Sequence, residues 1–267
     1  MCKIWLKVLF FSLILSLGVP KSALASYSLG LQDVPVSVGA VAMVLWGNYR
    51  LDNMDVPKKE DVKLQSELLP WDRPVAGRYS KTADSWSDYM SALAVLPVAI
   101  GGVALQQGNI KGMDFLTYLL MYAEAQAVQD GLNLVVRSLG LWPRPYIYAE
   151  DGAGMEMAQK ANGEAYGSFF SGHASAAFTV AVFTSEYFSE VYPNSPYKGI
   201  VRASVFSLAS FVGVLRIAAG KHYPTDVVVG ALVGTGVSYG ILKMHKKGCD
   251  KVTLWASPSA LTLNILF

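Results

Sequence analysis

Residues 168–188 read SFFSGHASAAFTVAVFTSEYF, a turn of small and aromatic residues that runs into an Ala-rich apolar stretch. From His173 to Phe188 the run is too long for a strand and rich in helix formers, so a helix is expected. Five further stretches have the same character: Pro35 to Gly47, Tyr89 to Leu105, Met113 to Leu139, Ile200 to Ala219 and Pro224 to Leu242. The expected fold class is therefore all-α, a bundle of about six helices. Crossing the hydrocarbon takes about 20 residues, which the first stretch lacks and the others approach or reach. The chain is 52% hydrophobic and only 16% charged, outside the range of a typical soluble domain, and this favours a polytopic membrane bundle. Glu124, Gln126, Gln129 and Asp130 lie within the third stretch. Polar groups at that depth are expected to face the bundle interior or a cavity.

The rest of the chain sets the boundaries. Residues 1–25 carry Lys3 and Lys7, an apolar run from Val8 to Val19 and then Ser22-Ala23-Leu24-Ala25, the pattern of a cleaved export signal. A mature start at Ser26 is expected, with retention of the segment as an anchor as the alternative. Cys2 and Cys249 are the only cysteines; once the signal is gone, no disulfide within one chain can form. Residues 26–248 form one helical domain, with a polar connection over 48–88 expected to be loop and short surface helix. Residues 249–267 form a tail in which Val252 to Ala256 and Leu261 to Phe267, on either side of Ser-Pro-Ser, read as a β-hairpin. A net charge of +2, with no basic stripe, excludes a nucleic-acid partner.

Three clusters carry chemistry. At Ser171-Gly172-His173 a small-residue turn opens a helix, where free N–H groups and the positive dipole end suit an anion. A Ser N-cap with an incidental His is the plain alternative. His222 stands just before Pro224, a residue suited to a first helical turn, so Asp226 falls within that turn. A carboxylate there can hold one imidazole nitrogen and leave the other free to attack, or it can simply cap the helix. Arg137 and Arg144 flank a Gly- and Pro-containing turn and can present paired N–H donors to phosphate oxygens, or reach for headgroups.

In order and spacing the three clusters resemble the type 2 phosphatidic acid phosphatase and vanadium haloperoxidase superfamily, whose signature is K-x6-R-P, then P-S-G-H, then S-R-x5-H-x3-D. Arg137 precedes Arg144-Pro145 at the family spacing; Ser171-Gly172-His173 forms the second motif; Arg216, His222 and Asp226 form the third. Three positions depart from the pattern. Arg137 stands for Lys, keeping the charge on a planar fork. Phe170 stands for Pro, and Leu215 for the Ser before Arg216, which deletes a hydroxyl available to phosphate.

The resemblance implies a phosphatase in which His222 attacks phosphorus, Asp226 orients it and His173 protonates the leaving oxygen. Arg137, Arg144, Arg216, Ser171 and the Gly172 N–H would hold the phosphoryl oxygens. The substrate would be a phosphorylated lipid or a small phosphate ester. No cofactor is expected, and no metal site is recognisable from the spacing of the three histidines. Membrane members of the family place these motifs on the extracytoplasmic side, so a bacterial inner-membrane protein with a periplasm-facing site is expected. A soluble periplasmic acid phosphatase, a vanadium haloperoxidase and a non-enzymatic membrane protein are the alternatives.

Overall fold

The computed structural model describes residues 27–30, 33–57, 62 and 64–246, together with the backbone of 252–257 and 260–265. The expected export signal over 1–25 and Cys249 lie outside the described residues. Eight α-helices occur among the described residues: α1 (Asp33–Asp52), α2 (Lys81–Tyr89), α3 (Leu96–Gln106), α4 (Gly112–Arg137), α5 (Gly152–Gln159), α6 (Gly172–Val191), α7 (Lys198–Ala218) and α8 (Pro224–His245). The tail forms the expected hairpin, β1 (Val252–Ser257) antiparallel to β2 (Ala260–Ile265), in a register from Val252 opposite Ile265 to Ser257 opposite Ala260.

The six expected helices are present, with differences that local chemistry explains. α1 has 20 residues, longer than its apolar run, because Asp33 opens it and Arg50 closes it, each favourable to the dipole at its own end. The second helix begins eight residues earlier than its apolar run. Ser80 caps it by accepting from Ala83 N at 3.3 Å, and the 3-10 turn over Met90–Val95 then leads into α3. Pro97 sits in the first turn of α3, where its missing N–H costs nothing. The short α5 falls in a segment whose sequence has no apolar period.

α6 lies at the centre and packs on α3, α4, α7 and α8. It is buried on nearly every side, from Ala174 and Ser175 to Tyr187 and Val191, as expected of a core helix. Tyr187 stacks on Tyr118 of α4 with ring centroids 3.6 Å apart, and the Tyr118 hydroxyl donates to the Phe183 carbonyl. Glu124 and Gln129 of α4 are buried in the bundle, where the sequence places them.

The α6–α8 contact is closest where α8 carries Gly230 and Gly234. A Cβ at Gly230 would stand 2.5 Å from the Ser171 carbonyl oxygen, and one at Gly234 would stand 2.1 Å from that of Ser175. Only glycine allows this approach. Among the described residues three helical segments are long and apolar enough to cross a membrane: 81–106, α7 and α8. In their most apolar windows only 17–28% of residues are buried, so their apolar surface faces outward.

Two substitutions on one helix test the crossing. Gly234→Ala is expected to cost about 1–3 kcal/mol through overpacking. Gly236→Ala, where an added Cβ meets nothing within 4 Å, is expected to gain about 0.5–1 kcal/mol from helix propensity. Thermal unfolding midpoints of the two variants should therefore move in opposite directions.

Candidate active site

The three sequence clusters meet at one end of the bundle. Ser171 is the N-cap of α6, its hydroxyl accepting from Ala174 N at 3.4 Å, and His173 follows in the first turn. Gly172 fits there because α4 comes close on its Cα side. A Cβ would lie 2.7 Å from Asn133 Oδ1 of α4, and the same Asn133 donates to the Phe170 carbonyl at 2.6 Å. The α6 N-terminus is thus docked on α4 by a buried amide.

His222 lies in the turn between α7 and α8. Gly220 makes that turn with φ +65°, pressed so close to the Arg78 carbonyl that no side chain fits. Tyr146 N donates to its carbonyl at 3.2 Å. The buried His222 places Nδ1 2.9 Å from the Ser168 carbonyl oxygen, so Nδ1 carries the proton and donates it. Asp226 Oδ2 stands 3.5 Å from the same nitrogen. That oxygen accepts instead from Ser168 Oγ at 2.6 Å and from Tyr223 N at 2.9 Å. Asp226 therefore acts on His222 mainly through Ser168, a residue the sequence motifs do not mark. The Nε2 lone pair of His222 remains available.

Around the two imidazoles stand the arginines. Burial pushes His222 well below its ordinary pKa, and the positive charges of Arg144, Arg216 and Arg137 add to that effect. His173 is pushed down to about 3, first by burial and then by Arg216 and Arg144. Both rings are neutral at pH 7 in this state. Arg137 Nε donates to the Gly167 carbonyl at 3.1 Å, and its Nη2 is 3.7 Å from Glu164. For Arg144 no carboxylate lies within ion-pair distance among the described residues.

The family model of the PAP2 superfamily matches residues 114–248, half of the chain and all three clusters. The chain belongs to the PAP2 superfamily. As a PAP2 protein it is a hydrolase of phosphoric esters, a phosphatase. A solved structure similar to it is the first transmembrane PAP2 type phosphatidylglycerolphosphate phosphatase from Bacillus subtilis. The two share 20% identity with a TM-score of 0.42, over 90% of this chain and 94% of that one. No curated protein matches the chain.

This PAP2 site has a feature that the three motifs do not carry. The face of α2 presents Asp84, Ser87 and Asp88 to the phosphate-side cations. Arg216 Nη1 reaches Asp84 Oδ1 at 3.1 Å, Ser87 Oγ at 2.8 Å and Asp88 Oδ1 at 3.5 Å. Asp88 Oδ1 also lies 3.3 Å from His173 Nε2. Asp84 Oδ2 pairs with Lys221 at 3.1 Å, and Lys221 sits over the rings of Tyr146 and Tyr79. These acids belong to the polar 48–88 connection. Their i, i+4 spacing on a short helix is the signal that could have drawn attention to them.

Asp88 is exposed and competes with any anion for Arg216 and His173. Asp88→Asn is expected to tighten inhibition by vanadate about two- to fivefold, the value of one exposed ion pair. Weaker inhibition would mean that Asp88 holds Arg216 and the His173 ring in register for the anion.

Proposed function

We propose that the chain hydrolyses the phosphate monoester or pyrophosphate of a lipid through a phosphohistidine, with no metal in the chemical step. The observation that carries this reading is the convergence of two imidazoles with three guanidiniums, one imidazole having its Nδ1–H tied to a carbonyl. The Nε2 lone pair of His222 attacks phosphorus while the bond to the leaving oxygen breaks. Arg137, Arg144 and Arg216, with the Ser171 hydroxyl and the Gly172 N–H, take up the charge on the three remaining oxygens. His173 gives its proton to the leaving oxygen. It then takes a proton from the water that breaks the P–N bond and releases phosphate. In the free site burial first, and then Arg216 and Arg144, hold His173 in its neutral form. A bound phosphate dianion offsets the arginines' part of that effect and favours the protonated acid.

A lipid substrate is supported by what surrounds the site. The segment 81–106 starts there, α7 ends there with Arg216 and α8 starts there with Asp226, so all three apolar helices bring one end to the same surface. Trp71, Trp86 and Tyr89 are exposed at that end, where aromatic residues mark the level of headgroups. In this reading the bundle crosses the bacterial inner membrane with the site facing the periplasm.

Signal cleavage and membrane crossing compete in this arrangement. Tyr27 bridges to Lys246, and Ser28 N donates to the His245 carbonyl at 2.9 Å. Residue 27 thus lies at the far end of α8, about 30 Å of helix from the site. A crossing α8 with a periplasmic site puts residue 27 in the cytoplasm, where cleavage after Ala25 does not occur. A soluble periplasmic bundle, by contrast, is compatible with a cleaved signal.

Two measurements check the proposal. On purified protein His173→Ala should lose far more activity on an alkyl phosphate than on p-nitrophenyl phosphate, whose leaving group departs unprotonated, while His222→Ala loses activity on both. Preferential rescue of His222→Ala would reverse the two roles. For topology, a reporter after Lys247 is expected in the cytoplasm and one near Gly152 in the periplasm, on a chain that keeps residues 1–25. Two periplasmic reporters on a chain beginning at Ser26 would replace the membrane reading with the soluble one.

A further inference from the structure

We propose that Asp33, Glu124 and His245 form a binding site for one divalent transition-metal ion, which clamps the start of the bundle to its far end. The three residues come from the first turn of α1, the middle of α4 and the last turn of α8. The sequence separates them widely, so ligand spacing along the chain could not reveal them. Each offers one ligand atom, and the three atoms lie within 4.8 Å of one another.

The donor atoms converge as the ligands of one ion would. His245 Nδ1 is 2.8 Å from the Ile241 carbonyl, which holds the proton on that nitrogen and leaves the Nε2 lone pair toward the carboxylates, as in metal-bound histidines. Nε2 stands 2.7 Å from Asp33 Oδ1 and 3.5 Å from Glu124 Oε2. Ligand atoms bound at about 2.1 Å to one ion sit about 3.4 Å apart in a tetrahedral site and about 3.0 Å apart in an octahedral one, and the two distances bracket those values.

Burial adds an independent argument. Glu124 is 3% exposed and His245 1%, and Glu124 Oε1 has no hydrogen-bond partner among the described residues, while His245 Nε2 and Asp33 Oδ1 have only each other at close range. The other oxygen of Asp33 is used, accepting from Gly30 N at 2.7 Å. Two carboxylates with a protonated imidazole leave one net negative charge in a buried place. A divalent ion with a neutral imidazole leaves none. One nitrogen with two carboxylates suits zinc or manganese better than calcium or magnesium, which prefer oxygen alone.

Bound there, the ion ties α1 to α4 and α8 at the end of the bundle remote from His222. Its contribution is to folding and not to phosphoryl transfer. The inference is therefore independent of the proposed phosphatase mechanism.

The test uses the full chain in detergent, stripped with chelator and then dialysed against Zn²⁺, Mn²⁺ or Mg²⁺. Metal content and thermal midpoint are both measured. Wild type is expected to retain one Zn²⁺ or Mn²⁺ per chain, with a raised midpoint and no competition from Mg²⁺. His222→Ala should bind the ion as wild type does, whereas Glu124→Gln and His245→Gln should not. Folded wild type that retains no ion overturns the proposal and leaves a protonated His245 between the two acids. Binding that is lost in His222→Ala but kept in Glu124→Gln also overturns it, by moving the ion to the phosphatase site. If the two far-end variants do not fold, the wild-type stoichiometry together with the His222→Ala result decides.

Discussion

The close contact of α6 with α8 is the constraint on which the site depends. Gly230 and Gly234 let the backbone of α8 come against the carbonyls of Ser171 and Ser175. Ser171 N donates to the Asp226 carbonyl at 2.9 Å, and Thr179 Oγ1 donates to the Gly234 carbonyl at 3.3 Å. The helix that bears His173 is in this way fixed against the helix that follows His222. A methyl group at the crossing separates two helix ends whose side chains, in the proposed mechanism, act on one phosphorus atom.

Electrostatics then decide what the site can hold. Three guanidiniums near the buried His222 and the half-exposed His173 form a region that repels protons and attracts anions. Without an anion part of this charge is met from within the chain, by Asp84 and Asp88 on α2. Arg216 has both acids and Ser87 around one nitrogen, while its Nε has no partner among the described residues. Asp88 is the more exposed of the two acids, whereas Asp84 is more buried and also holds Lys221.

Much of this was legible in the sequence, and the missing parts share a cause. Apolar runs located the six main helices because burial of a bundle core imposes long helical stretches. The family spacing marked His173, His222, Asp226 and the three arginines, which lie near one another at one end of the bundle. What the sequence could not reveal depends on contacts between distant segments. Ser168 matters through its carbonyl, which no residue type advertises. Asp84 and Asp88 sit in a polar segment where charge usually means solvent. Asp33, Glu124 and His245 meet only once α1, α4 and α8 are packed. The C-terminal hairpin, by contrast, is local, and its alternating pattern was sufficient.

The account stands most directly on the nitrogen that attacks. Because the Ser168 carbonyl holds the proton on Nδ1 of His222, only Nε2 can form the bond to phosphorus. Rapid denaturation of the enzyme during turnover of a labelled substrate, followed by peptide mass spectrometry and phosphorus NMR, identifies both the phosphorylated residue and the nitrogen. A phosphoryl group on Nε2 of His222 is the predicted result. A phosphoryl group on Nδ1, or on His173, would contradict it.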